Sequence, residues 1–376
     1  MKKVVLGLSG GVDSAVSLIE LKKQKYDVKA VFMRNWDSLT NDDILGNPTL
    51  DDDICAQEVD YLDARKVADQ LNTPIEKIDF IEEYWANVFQ YFLSEYNKGR
   101  TPNPDILCNT EIKFKAFLKH AMDSDADLIA MGHYARKGWI DGKPALLRAV
   151  DQNKDQTYFL SQLTEAQLEK ALFPIGNLTK EEVRKIAIEN HLVVANKKDS
   201  TGICFIGERH FNQFLSNYIL AQKGQMKRLD GTFIKDHDGL IYYTIGQRKG
   251  LGIGGIKDYD DEPWFVVGKD ITTNTLLVEQ GFYHPYLYSN NCIVKDVTFR
   301  GNKDLTNRTF TAKFRYRQKD NDVKLTWLDD TTLKVEYPNR VRAVTPGQAA
   351  AFYEGDVCVG GGFIDTVYLD EAKRKY

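Results

Sequence analysis

The sequence predicts an α/β domain built on a doubly wound parallel sheet, followed by a small central domain and a C-terminal β-barrel. Three observations carry this. Short β-branched apolar runs alternate with helix-periodic segments through about the first 150 residues, which implies parallel strands joined by helices. Near Phe211 the texture changes to frequent glycine and short β-like runs. From about Asn290 the chain reads as strand and turn almost throughout. We therefore divide it at 1–210, 211–285 and 286–376.

Each element has its own signature. Lys3–Leu8 is a short apolar run next to glycine, and reads as a strand. Val12, Ala15, Val16 and Ile19 fall at i, i+3, i+4 and i+7, one face of a helix. Val28–Met33 is a second strand, Ala56–Leu71 a helix, Ile75–Ile78 a strand and Tyr84–Tyr96 a helix. Ile112–Met122 is helical and Leu128–Gly132 is a strand. Thr164–Leu172 and Thr179–Asn190 each open with a threonine that has Gln167 or Glu182 three residues on, the capping-box pattern. Further on, Ile241–Ile245, Trp264–Gly268 and Thr275–Val278 read as strands.

Composition removes several classes. The 376 residues are 43% hydrophobic and 28% charged, ordinary for a globular chain of two or three domains. No apolar run approaches the roughly 18 residues of a membrane span. The apolar stretch after Met1-Lys2-Lys3 is too short for a signal peptide, so we expect a cytoplasmic protein with no membrane partner. The five cysteines, Cys55, Cys108, Cys204, Cys292 and Cys358, form no CxxC pair and do not look like a disulfide scaffold or zinc ribbon. A net charge of −4 means that any nucleic acid must be met by local basic patches.

Gly7-Leu8-Ser9-Gly10-Gly11-Val12-Asp13-Ser14 lies between the first strand and the first helix. A helix N-terminus offers unpaired N–H groups and partial positive charge, and glycines let backbone approach an anion closely. Ser9 and Ser14 can donate hydroxyl hydrogen bonds, and Asp13 suits orienting amides or facing a magnesium ion. No GxxxxGK[ST] occurs, so this is not a Walker loop. The segment resembles the SGGxDS loop of the ATP pyrophosphatase (PP-loop) family, whose members split ATP between the α and β phosphates. A second glycine pattern, Gly250, Gly252 and Gly255, lacks the strand before and helix after that a dinucleotide site needs. It reads as a flexible loop beside Arg248 and Lys249. Asp37, Asp42 and Asp43 read as a solvated loop.

Two cysteines have activating surroundings. Cys108 closes Thr101-Pro102-Asn103-Pro104-Asp105-Ile106-Leu107 just before an expected helix, where the helix field favours thiolate, with Asp105 near enough to exchange protons. Cys204 sits in Lys198-Asp199-Ser200-Thr201-Gly202-Ile203, with Lys197 and Lys198 making the neighbourhood electropositive. The other three cysteines match no catalytic pattern.

PNPDILCN at 102–109 and TGICFIG at 201–207, behind SGGVDS, resemble the tRNA-specific 2-thiouridylases, and the likeness includes GHYAR at Gly132–Arg136, KDQTYFL at Lys154–Leu160, GQRKGLGIGG at Gly246–Gly255 and TPGQAAAFY at Thr345–Tyr353. The resemblance implies an adenine-nucleotide α-hydrolase-like first domain and ATP-dependent 2-thiolation of the wobble uridine of tRNA. It implies adenylation of the uridine C2 oxygen, then sulfur transfer from a Cys204 persulfide with Cys108 assisting and Asp105 as acid/base. The two cysteines can then end as a disulfide. It implies ATP with magnesium at Gly7–Ser14, Met33 and Gly132, and a persulfide donor protein as second partner. It implies tRNA contacts at Asn103, Pro104, Asp105, His133, Lys154, Asp155, Gln156, Tyr316, Arg317 and Gln348. Independently, Thr309–Lys319 reads as a strand with Phe310, Ala312, Phe314 and Tyr316 on one face and Lys313, Arg315, Arg317 and Lys319 on the other, a basic face suited to phosphates. Two other readings stay open: a PP-loop synthetase acting on a small metabolite, and a non-catalytic RNA-binding protein.

Overall fold

The computed structural model describes every residue except 51, 53–54, 200–201, 203–205, 208, 255–260 and 376. The first domain holds a five-stranded parallel sheet. Its strands are β1 (Lys3–Gly7), β2 (Asp27–Arg34), β3 (Ile75–Asp79), β4 (Leu128–Ala130) and β7 (Ala171–Leu172), in the order β3-β2-β1-β4-β7. β1 is Val-Val-Leu at its centre and buried on both faces, as a central parallel strand requires. α1 (Val12–Lys23) and α2 (Ala56–Gln70) follow β1 and β2. α3 (Lys180–Glu189) packs beside α1. The capping box expected at Thr179 is formed: its hydroxyl accepts from the Glu182 amide, and Glu182 reaches back to the Thr179 amide. The one at Thr164 is formed likewise, but its helix stops at Lys170, because Ala171–Leu172 joins the sheet edge beside β4.

Sequence periodicity missed the hairpin β5 (Ala135–Ile140) and β6 (Lys143–Arg148), which leaves the first domain and pairs with the C-terminal sheet. The central domain is a four-stranded sheet of β8 (Gly224–Lys227), β9 (Phe233–His237), β10 (Trp264–Asp270) and β11 (Thr275–Gln280), ordered β10-β11-β8-β9. The expected strand Ile241–Ile245 is instead a short 3₁₀ turn at Leu240–Tyr242 leading into a loop.

The last domain is a barrel. β12 (Tyr288–Phe299), β13 (Phe310–Lys313), β14 (Asn321–Trp327), β15 (Leu333–Arg342), β16 (Ala349–Glu354) and β17 (Val357–Leu369) run β12-β15-β14-β13-β16-β17, and β17 pairs back onto β12 to close it. Closure removes the free edges that an open sheet would expose. The expected strand Thr309–Lys319 ends early. Phe310–Lys313 is strand, but residues 314–317 turn, held by the Gln318 side-chain carbonyl accepting from the Phe314 amide at 2.9 Å. Two-residue alternation therefore stops at Phe314, and the basic side chains beyond it do not share a flat face.

One apolar core runs through the molecule, from Val5 and Met33 of the sheet through Phe89, Phe114 and Tyr158 to Ala349 and Phe363 of the barrel. Arg300 of the barrel is 6% exposed and donates to the Ser161, Leu163 and Cys358 carbonyls, a buried cation stitching the barrel to the first domain.

Candidate active site

The order β3-β2-β1-β4-β7 reverses direction between β1 and β4, the place where open α/β sheets take ligands. Gly7–Ser14 lies there. Gly11 caps α1 in extended conformation with no side-chain cap, so the first amides of α1 keep their donors for another partner. Gly10 has φ +74°, and a Cβ there would collide with the Asp60 carbonyl. Ser14 Oγ receives the Ser9 amide at 3.1 Å, and the two serine hydroxyls lie 3.2 Å apart. A Cβ at Gly132 would stand 2.9 Å from the Ser14 amide nitrogen, so glycine is needed where β4 passes the loop. Met33 and Met131 flank Gly7 at the strand ends. A glycine cradle with uncapped amides fits the phosphates of a nucleotide.

Asp13 does not face solvent alone. Tyr134 Oη donates to its Oδ1 at 2.8 Å, and Lys180 Nζ donates to both oxygens at 2.8 and 3.0 Å. Burial, then the charge of Asp13, push the Tyr134 phenol well above its usual range. Lys180 also meets Asp199 at 2.7 Å, and Asp199 takes Lys154 at 2.8 Å and Arg184 at 3.1 Å. Burial alone would raise the Asp199 carboxyl, but hydrogen bonds and charges from Lys154 and Lys180 hold it at about 2. Lys180 was not foreseen from sequence. Its only local signal is the helix cap at Thr179, which says nothing of a partner 167 positions away.

Cys204 lies outside the described residues, so its setting and any pairing with Cys108 are not described. Of its expected electropositive neighbours, Lys197 is neutralised by Asp60 and Asp63, both at 2.8 Å. Against the cost of burial, those carboxylates keep its ammonium above the ordinary value.

Cys108 departs from expectation. Helix begins earlier, at Pro104, because Asn103 accepts the Asp105 amide at 3.1 Å and Pro104 presets the first turn. Cys108 is thus one turn inside, the first residue of a π-helical stretch, Cys108–Ala116, and is fully buried. π-helical turns concentrate at functional sites. Asn109 fixes the turn: its amide donates to the Asp105 carbonyl at 3.0 Å and the Phe159 carbonyl at 3.2 Å. The Phe159 ring packs on Tyr316 at 4.4 Å, and Tyr316 Oη reaches the Lys154 carbonyl at 3.5 Å. His133 sits behind, ring to ring with Phe114 at 6.0 Å; burial, then the charge of Lys113, hold it neutral, well below the usual histidine range. Asn103, Pro104, Asp105, Cys108, His133, Lys154 and Tyr316 are thereby brought to one neighbourhood.

The remaining predicted residues divide. Gln156 exchanges hydrogen bonds with Tyr134, its amide donating to the Tyr134 carbonyl at 2.8 Å. Asp155 is buried, accepting from the Ala149 amide at 2.9 Å and the Thr157 hydroxyl at 2.7 Å, so it shapes the loop from inside. Gln348 donates to the Thr101 carbonyl at 2.6 Å and holds the approach to Asn103 against the barrel. Arg317 is exposed on its turn. The aspartates expected in a solvated loop are partly otherwise: Asp43 is buried, paired with Arg209 at 2.7 Å and the Trp36 indole at 3.0 Å. Cys292 and Cys358 are buried free thiols and Cys55 is an exposed one. Burial pushes the Cys358 thiol up, which suits a packing role.

Fold and loop together define a PP-loop nucleotide-binding enzyme. Residues 2–208 match the family model described as tRNA methyl transferase HUP domain, 212–280 the tRNA methyl transferase PRC-barrel domain, and 289–364 the aminomethyltransferase beta-barrel domain. The chain is 62% identical over 375 residues to the tRNA-specific 2-thiouridylase MnmA of Acholeplasma laidlawii (strain PG-8A), covering 100% of this chain and 99% of that one. It is 59% identical to the protein of that name from Onion yellows phytoplasma (strain OY-M), with 100% of each chain covered. It is 55% identical to the one from Listeria welshimeri, with 100% of this chain and 97% of that one covered. The chain belongs to the tRNA-specific 2-thiouridylase family, and is a sulfurtransferase enzyme. No helix among the described residues is long and apolar enough to cross a membrane.

Proposed function

We propose that this protein 2-thiolates the wobble uridine of tRNA at the expense of ATP. The observation that carries the reading is convergence. The phosphate loop, the Asn103–Cys108 turn and the segment ending at Asp199, which leads toward Cys204, meet at one end of the sheet through Lys180, Gly132, His133 and Asn109. ATP would lie along Gly7–Ser14, with its adenosine side toward Met33 and Gly132. ATP supplies a leaving group for the uridine C2 oxygen, releasing pyrophosphate. The residues of the chain then do the rest. Asp105 moves the proton, the outer sulfur of a Cys204 persulfide displaces AMP from C2, and Cys108 thiolate attacks the Cys204 sulfur. That last step breaks the S–S bond, frees the thiolated base and leaves a Cys108–Cys204 disulfide for an external thiol to reduce. A persulfide-carrying donor protein reloads Cys204.

Asp13 already carries the Lys180 ammonium, so in this reading magnesium would be held chiefly by the ATP phosphates, where it would offset their charge. The wobble base suits the site because it is already in a loop and costs least to extrude. The divisions at 210 and 285 belong to the same reading: the first unit activates, and the barrel turn at Tyr316–Arg317 with Lys154–Gln156, His133 and Gln348 meets the RNA. The test is ATP-dependent transfer of labelled sulfur to unmodified tRNA by wild type, Cys108→Ser and Cys204→Ser. Labelled wobble uridine with wild type and none with either variant is expected. Normal labelling by the variants, or AMP formation on a small metabolite without RNA, would overturn the reading.

A further inference from the structure

The loop Gly246–Gly254 is absorbed by none of this chemistry, yet it is built with care. Its base is pinned into the central sheet: the Gly246 amide donates to the Val266 carbonyl at 2.8 Å, and the Val266 amide to the Gln247 carbonyl at 3.0 Å. Gln247 locks it internally, accepting the Thr244 amide at 2.9 Å and donating to the Lys249 carbonyl at 3.0 Å. The far side is tied by Lys235 Nζ on the Gly252 carbonyl at 3.1 Å. Leu251 is 4% exposed and anchors the loop in the apolar core of the central domain. These restraints make it an ordered projection rather than the flexible loop that its glycines suggest. Gly246 and Gly250 both take φ +81°, the left-handed turns that fold the segment back on itself.

At its tip stand Arg248 and Lys249, both exposed. Among the described residues no carboxylate pairs with either, in a chain of net charge −4. The loop is also joined to the barrel turn. Arg315, next to Tyr316, donates to the Ile245 carbonyl at 3.0 Å and the Thr345 hydroxyl at 2.9 Å. Arg317 is likewise exposed and has no carboxylate partner among the described residues. One guanidinium therefore ties the barrel turn to the base of the loop.

We infer that Arg248 and Lys249 form a second phosphate-contact strip, continuous with the Tyr316–Arg317 turn, on which the sugar–phosphate backbone of the tRNA lies. This rests on the reading that tRNA crosses that turn. Exposed cations on a restrained, glycine-turned projection match a polyanion, and the restraint lowers the ordering cost of the contact. The loop thereby lets the central domain, which holds no residue of the proposed chemistry, contribute to substrate affinity.

The experiment measures binding of an unmodified wobble-uridine tRNA transcript across a salt series, using wild type, the double variant Arg248→Gln/Lys249→Gln, the charge-keeping double variant Arg248→Lys/Lys249→Arg, and Arg317→Gln. Removing one cation–phosphate pair lowers the slope of log Kd against log salt by about 1, so the glutamine pair should lower it by about 2 and weaken binding on the order of tenfold. The charge-keeping pair should hold the wild-type slope. An unchanged slope in the glutamine pair, with a reduced slope in Arg317→Gln, overturns the strip and leaves the barrel turn in place. A reduced slope in the glutamine pair alone upholds the loop contact and overturns the assignment of Arg317. Unchanged slopes in both overturn the strip together with the reading it rests on.

Discussion

Lys269 offers a prediction whose sign and size follow from the structure. It lies on β10, is 4% exposed, and donates from Nζ to the Gly99 carbonyl at 2.9 Å, three residues before Pro102. Burial pushes its ammonium down to about 7 from the ordinary 10.5. In the window between those values the unfolded chain holds a proton that the folded chain does not, so stability rises with pH there. Above about 10.5 both states are neutral and the penalty vanishes; it grows as pH falls, and is full below about 7. The whole window is worth about 5 kcal/mol, and one pH unit inside it about 1 kcal/mol. Replacing Lys269 by Met removes the titrating group and keeps the apolar stem. Urea unfolding followed at pH 7, 8 and 9 should show wild type gaining about 1 kcal/mol per unit relative to Lys269→Met, with the variant the more stable of the two at pH 7. Parallel pH curves for the two proteins would refute the assignment of a buried lysine that loses its proton near neutrality.

Two further predictions concern the site. Asn109→Asp keeps the shape but removes both donors, leaving the Asp105 and Phe159 carbonyls facing a carboxylate; we expect a loss of about 2–4 kcal/mol of stability and roughly 100-fold in sulfur transfer, with tRNA affinity held within about threefold. Equal loss of binding and turnover in a filter-binding and single-turnover pair of assays would argue against a positioning role. Lys180→Met removes the cation shared by Asp13 and Asp199. A carboxyl held at about 2 contributes stability present above the ordinary 3.8 and lost as pH falls toward 2, so the variant should unfold in acid at a higher pH than wild type and lose ATP cleavage. An acid-unfolding midpoint that does not move, read by circular dichroism, would show that Lys154 and Arg184 suffice for Asp199.

The sequence by itself determined what local chemistry can specify. Alternating strand and helix patterns gave the parallel sheet, threonine caps three residues ahead of Gln167 and Glu182 gave two helix starts, and SGGVDS at a strand–helix junction gave the phosphate loop. Contacts between distant segments were decided only by the tertiary structure. Lys180 meets Asp13 because α3 packs on α1, and no pattern within either helix encodes that. The Thr309–Lys319 alternation looked like a continuous strand, but the Phe314 amide donates to the Gln318 side-chain carbonyl and the chain turns there, and Arg315 went to the central domain instead of solvent. Asp43 looked solvated, and Lys197 looked like a free positive charge beside Cys204, until Arg209 and the Asp60–Asp63 pair arrived from elsewhere in the chain. Period and propensity are properties of neighbours along the chain, whereas a buried charge is settled by whichever partner folding brings within about 3 Å.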